Sequence, residues 1–281
     1  MLLLALSAAL LISACGNLEK EINLDLPVYQ PQYIMECYLE PGQNFRLSLS
    51  RSVPYFEPFP DDPAEFVQKI LVDSADVIIS HAGRDYVLKN EIDVAAFVAT
   101  QKVYNYVAAE KVPADFNQDF SLKIMLPDGK MITAKTRLLP IVPIDSIVIE
   151  FDKKVDTLAR ALTYVTDNPN MNNYYRRMIH HHSLDSIPEQ DFTTNDDFVD
   201  NKKLVFGTGY DFKEGDTIYN TIFHIERAYF DFWESTLNAV NSNGNPFGQP
   251  SSIISNLEGD AGAVGIFTGL SYDRMLTVVK K

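Results

Sequence analysis

Cysteine is nearly absent: the 281-residue chain holds two, Cys15 and Cys37. With Cys15 engaged elsewhere, as argued below, no internal disulfide can form, and the Cys/His spacing of a zinc module is missing. Basic residues are also scarce. Lys and Arg number 24 against 38 Asp and Glu, a formal net charge of −14. An acidic body of this kind repels phosphate backbones, which excludes nucleic acid as a partner, and it does not lie flat on an anionic membrane. Long apolar runs are lacking too. The one at the N-terminus covers roughly 14 residues, against the roughly 18–20 that span a bilayer. There is no Gly-x-Ser-x-Gly elbow, His-Glu-x-x-His helix or phosphate loop, so the sequence names no catalytic chemistry and calls for no cofactor. Neither a solenoid repeat nor a heptad is found.

What is present begins at the N-terminus. An uncharged apolar run from Met1 to Leu11 leads into Ile12-Ser13-Ala14-Cys15, which looks like a lipobox. Residues 1–14 then read as a lipoprotein signal peptide and Cys15 as the lipidated first residue of the mature chain. The basic segment that usually opens such a signal is missing, which points to a start upstream of Met1 or a trimmed chain. One acyl chain anchors weakly. A diacylglyceryl group plus an N-acyl chain on Cys15, as bacterial lipoproteins carry, meets that requirement and makes the membrane a partner through this residue. Cys37 differs. It shares one face of an alternating run with Tyr33, Met35 and Leu39, and reads as a buried small hydrophobe.

Residues 15–32, with Pro27 and Pro31, read as a tether. Short alternating runs follow at 33–39, 45–50, 75–80, 85–89, 103–108, 120–126 and 130–135, with hairpin turns at Glu40-Pro41-Gly42-Gln43 and Asp128-Gly129. The segment 54–63 holds four prolines and reads as a long loop. Pro140 and Pro143 punctuate the middle. Beyond them, runs at 146–151, 158–166, 173–181, 202–206, 216–225, 263–268 and 273–280 predict more strands. Ile225, Tyr229, Phe232, Trp233 and Leu237 fall at helical spacing. The expected fold is mainly β: two consecutive β-sandwich (Ig-like) units, an N-terminal one over 33–140 and a C-terminal β-rich domain over 141–281, with one helix near residues 226–241.

Candidate site residues are few. His180-His181-His182 suggests a metal, and strand alternation would put His180 and His182 on one face. An exposed polar strand end is the plainer reading, and no metal site is expected. The acidic stretch Glu189–Asp200 lacks a calcium-loop pattern and reads as a solvated loop. Tyr55, Phe56 and Phe59 in the proline-rich loop are candidates for partner contact, because rings beside proline are cheap to order; the rival reading folds them onto the sandwich. Tyr229, Phe232 and Trp233 read as core packing.

Several segments together resemble a known family. Cys15 with Glu19-Lys20-Glu21-Ile22-Asn23-Leu24-Asp25-Leu26-Pro27, Leu39-Glu40-Pro41-Gly42, Ser50-Arg51-Ser52-Val53-Pro54-Tyr55-Phe56 and Ile144-Asp145-Ser146-Ile147 come first. Asn173-Tyr174-Tyr175-Arg176, Asn245-Pro246-Phe247 and Ser255-Asn256-Leu257-Glu258-Gly259 complete the set. In number and order these resemble an uncharacterised outer-membrane lipoprotein family of the Bacteroidota, catalogued as domain of unknown function 4249. Cys37 departs from the glycine expected there, and the three histidines are not a family mark. The resemblance implies a lipid-anchored, surface-facing protein of the outer membrane. Glu19 and Glu21 resemble the signals that export such lipoproteins to the exterior. It also implies a non-catalytic binding or accessory role beside a TonB-dependent receptor in nutrient uptake, and it supplies no catalytic residues. A surface hydrolase using carboxylates and a structural cell-envelope protein are the alternatives.

Asp-(Ser/Thr) followed by an aliphatic residue occurs at Asp73-Ser74-Ala75, Asp145-Ser146-Ile147, Asp156-Thr157-Leu158, Asp185-Ser186-Ile187 and Asp216-Thr217-Ile218. This resembles the O-glycosylation sequon of exported Bacteroidota proteins, with Thr157 and Ser186 the preferred sites; the plainer reading is turn residues preceding strands. Intact-mass measurement on protein from the native host is expected to exceed the mature polypeptide by a lipid and at least one glycan, with the lipid increment lost in Cys15→Ala. A mass equal to polypeptide plus lipid alone refutes the glycosylation.

Overall fold

The alternation of apolar and polar residues is realised as strands. The computed structural model describes residues 30–54, 58, 60–100, 102–168, 170–197, 203–242 and 251–281. In the N-terminal half these are β1 (Tyr33–Leu39), β2 (Asn44–Arg51), β3 (Asp76–His81), β4 (Arg84–Asn90), β5 (Tyr106–Lys111), β6 (Asp119–Met125) and β7 (Met131–Arg137). Then come β8 (Ile144–Phe151), β9 (Ala159–Thr166), β10 (Tyr174–His181), β11 (Gln190–Asn195), β12 (Lys203–Gly207), β13 (Thr217–Ile225), β14 (Val264–Gly269) and β15 (Ser271–Val278). The fold is mainly β, as expected.

Three helices stand among the described residues, where the sequence suggested one: α1 (Pro63–Ile70), α2 (Val94–Thr100) and α3 (Arg227–Ser242). The helix expected near 226–241 is α3. The start of α1 corrects the loop reading of 54–63. Asp62 caps it by accepting from the Ala64 backbone N–H, and Pro63 sits in its first turn, the arrangement that favours helix initiation. Asp93 does the same for α2 through the Ala96 N–H. No helix among the described residues is long and apolar enough to cross a membrane.

The first sheet has eight strands in the order β14-β1-β2-β5-β4-β3-β6-β7. Its inward residues make one core: Met35, Cys37, Leu39, Phe45, Leu47, Leu49, Val77, Ile79, Tyr106, Phe120, Ile124, Ile132 and Phe267 among them. Burial pushes the Cys37 thiol up, so it packs as a small hydrophobe and is not poised for reaction. The second half forms a four-stranded sheet, β11-β10-β13-β15, and a three-stranded one, β12-β9-β8. Two apolar clusters draw on both of these sheets. One joins Val165 and Phe206 to Tyr175 and Ile222; the other joins Ala159 and Ala161 to Ile179 and Ile218.

The expected boundary near 140 separates β1–β7 from the strands that follow, but β14 returns to the first sheet. It lies parallel to β1, with Met35 opposite Gly265 and Leu39 opposite Gly269. Both faces of β14 are covered. Phe267 enters the first core, while Ile266 packs with Tyr229, Phe232 and Phe223. The far edge of β14 is covered: the Gly269 N–H donates to Thr136 Oγ1 of β7 at 3.1 Å, and the Asn256 side chain accepts from the Phe267 N–H at 3.0 Å and donates to its carbonyl at 2.8 Å. Residues Pro31–Lys281 form one compact unit.

The approach of β14 to β1 demands glycine at 265. Its φ is +147°, and a Cβ there would stand 1.7 Å from the Met35 carbonyl oxygen. Gly265→Ala is therefore expected to lower the unfolding free energy by at least ~3 kcal/mol, against about 1 kcal/mol for Gly83→Ala. Gly83 also has a positive φ but faces open space. Urea denaturation of the two variants checks the ranking; equal losses refute it.

Candidate functional site

The sequence-nominated residues scatter. Cys15, Tyr55, Phe56 and Phe59 lie outside the described residues. Thr157 and Ser186 are both exposed, in separate turns. His180 and His182 do not share a site. His180 is buried beside Arg176 on the face of β10 that meets α3, its Nδ1 without a hydrogen-bond partner. At His182 the chain leaves the strand with φ 62°, and this ring stacks on His181 instead, 3.8 Å between centroids. Alternation failed because it holds only while the strand continues. The acidic stretch is likewise more ordered than a solvated loop, since its first half is β11, an edge strand paired with β10. Its Asp191 is taken by an arginine.

That arginine, Arg176, anchors the junction of the two halves. Its Nε and Nη2 donate to the two Asp191 carboxylate oxygens at 2.7 and 2.6 Å, and its Nη1 donates to the Tyr229 hydroxyl at 2.8 Å. The guanidinium lies 4.2 Å from the Trp233 ring centroid. Burial, the largest single influence, would lower the Arg176 pKa; Asp191 together with Tyr229 and Tyr38 outweighs it and the pKa rises. Further groups converge from the first sheet. Tyr38 packs edge-on against Tyr229, and its hydroxyl donates to Glu36 at 2.8 Å. Lys102 pairs with Glu36 at 3.0 Å and lies over the Tyr38 ring. Burial raises the Tyr38 pKa, with Glu36 adding to it, and pushes Tyr104 up to about 12.

Glu40, in the turn after β1, faces this junction with three cations around it. Burial raises its pKa, while Arg46, Arg274 and Arg176 pull it down without prevailing. His180 is lowered, first by burial and then by Arg274. Shifted ionisable groups drawn from several elements mark a site worth testing. Two segments that carried the resemblance, Leu39–Gly42 and Asn173–Arg176, meet here.

A second feature lies within the first sheet. Strands β4 and β5 pair at Lys89 with Val107 and Asn90 with Tyr106, and then part. The gap is a groove of about 870 Å³ lined by Asp85, Val87, Glu91, Val94, Ala109 and Glu110, among others. Its apolar side continues onto α2. Val87 is 61% exposed and Val94 66%, with Ile92, Phe97 and Val98 exposed beside them. Nothing in the sequence flagged it, because Val94–Thr100 is too short to show a helical period and the parting of β4 from β5 is set by tertiary packing.

Among the described residues, one group of side chains could hold a metal ion. His181, His182 and Asp216 each offer a ligand atom, all within 4.8 Å of one another.

Since burial holds the Glu40 carboxyl protonated to higher pH than in the unfolded chain, the folded state binds the extra proton between the ordinary glutamate value and the raised one. Stability falls as pH rises through that window. Glu40→Gln is expected to melt above the parent at pH 7.5, with the difference shrinking toward pH 4. A variant that melts lower at every pH would show that the charge is needed in place.

Comparison with known proteins gives a family and little beyond it. No curated protein matches. Six chains of solved structures match, among them a Salmonella alpha-2-macroglobulin variant at 11% identity and TM-score 0.25, covering 73% of this chain and 14% of that one. This chain thus spans a small part of that protein's length. The family described as "Domain of unknown function (DUF4249)" matches residues 19–275, nearly the whole chain. The protein belongs to the DUF4249 family.

Proposed function

We propose that this chain is an outer-membrane lipoprotein, held by lipid on Cys15 and facing the cell exterior, that serves a TonB-dependent nutrient-uptake system as a non-catalytic binding or accessory component. The anchor rests on Ile12-Ser13-Ala14-Cys15 and the face on Glu19 and Glu21. The TonB-dependent receptor as partner follows from the family resemblance. The structural observation that carries the binding role is the β4–β5 groove. Strands that part expose backbone donors and acceptors that an added strand can satisfy, and the exposed apolar side chains of β4 and α2 offer burial for its side chains. The rim carries Asp85, Glu91, Asp93 and Glu110 against Lys89, which favours a neutral or basic extended segment of the partner. A hydrolase reading would require a second carboxylate converging on Glu40, but the charged groups facing it are Arg46, Arg176 and Arg274.

The test is a mild-detergent pull-down of the lipidated protein from its native host, parent against Val87→Glu with Val94→Glu. Both positions are exposed, so the fold tolerates the change. Recovery of an outer-membrane receptor with the parent, and its loss with the double variant, is expected. If no receptor accompanies the parent, the accessory role is wrong; if the double variant retains it, the groove is not the contact.

A further inference from the structure

We propose that His181, His182 and Asp216 form a divalent transition-metal site. The register of the second sandwich brings them together. Strand β10 ends at His181, opposite Ile218 of β13, and the His182 N–H donates to the Thr217 carbonyl at 2.8 Å. The residue before Thr217, Asp216, therefore lies against the two histidines. Its carboxylate is fixed by the Lys213 N–H at 2.7 Å in the turn that opens β13. Asp216 Oδ2 stands 3.1 Å from His181 Nε2, and Oδ1 stands 3.8 Å from His182 Nε2. Ligand atoms that share a metal at about 2.0–2.2 Å sit at similar separations.

Two further observations favour a ligand over a simple ion pair. First, His181 Nε2 is buried and, although close to Asp216, lies outside hydrogen-bonding geometry. A buried polar atom left in this way is uncommon in folded proteins and calls for a partner. Second, the other nitrogen of the same ring, Nδ1, faces Glu189 at 3.7 Å, beyond hydrogen-bond distance but close enough for the carboxylate to favour positive charge at a metal held on the far nitrogen. The left-handed backbone of His182 adds to this. A non-glycine residue with φ near +60° is uncommon outside Asn, Asp and His, and here it turns the second imidazole back onto the first.

The donor set names the class of ion. Two imidazoles and one carboxylate suit zinc, nickel or copper and not calcium or magnesium, which take oxygen ligands. Three protein ligands leave a coordination position open, and His182, exposed at the surface, leaves that position accessible. The rings stack with 22° between their planes, so an ion held in the plane of both requires the stack to open.

The experiment is an equilibrium titration of the metal-free full-length protein with Zn²⁺ in competition with a chromophoric chelator, alongside NMR of the imidazole resonances. The parent is expected to bind one Zn²⁺ per chain and to shift the His181 and His182 resonances while those of His81 and His224 stay in place. Glu189→Gln is expected to weaken binding by about tenfold, and His182→Asn and Asp216→Asn by more. Asn is chosen at 182 because it tolerates the left-handed backbone, so a folded variant is available even if Asp216→Asn is not. Absence of one-to-one binding, or binding unchanged in His182→Asn, overturns the site.

Discussion

The parallel contact of β14 with β1 is closer than any side chain allows. Gly265 meets the Met35 backbone directly, and from that contact the joining of the two halves follows. A strand buried on both faces has to serve two cores. Phe267 fills the first and Ile266 the second, while Tyr38 on the neighbouring strand reaches the same second cluster. Leu270 and β15 then carry the chain into the other sheet with no loop between. What reads along the sequence as two successive units is, in space, joined by β14, a strand of the first sheet whose outer face packs on the helix and on β13 of the second half.

Adjacent arginines on β10 show how unequal two buried charges can be. Arg176 points to the junction and is matched by Asp191, Tyr229 and Trp233. Arg177 points the other way, between the two sheets of the second sandwich, and is fully buried. There its guanidinium donates to Gln190, the Gly207 carbonyl and Asn220, and among the described residues no carboxylate pairs with it. Burial pulls its pKa down to about 10, the direction expected of a cation held by neutral acceptors. Such a group contributes little net stability, but a shifted register would strand it without acceptors. It divides the second core into two clusters and pins β9, β10, β12 and β13 in one arrangement.

Most strands were legible because their faces differ. Met35, Cys37 and Leu39 alternate with polar neighbours, and the helical spacing of Tyr229, Phe232 and Trp233 marks α3. The misses share a cause. Gln190–Asn195 has too little apolar content to read as a strand; it is recruited by an arginine on β10 and by Thr193, which donates to Glu234 of α3. Val94–Thr100, without a readable period, is a helix of alanine-rich sequence started by the Asp93 cap. Asp62-Pro63 was a readable start signal, hidden among the prolines that precede it. The site was less legible still. Glu40, Arg176 and Arg274 are far apart in sequence, and His182 joined His181 only because the backbone turns where alternation assumes it does not.

The late strand β14 also dictates an order of events. Residues 33–137 hold seven of the eight strands of the first sheet, yet the edge of β1 has no partner until residues 264–269 have been made and brought back to it. Folding by such distant pairing is slow, and a bare β1 edge can recruit a stray strand meanwhile. A chain of this design cannot complete its first half as it emerges N-terminus first. Its first sheet reaches its final edge only when the C-terminal strands arrive, so the two halves finish folding together.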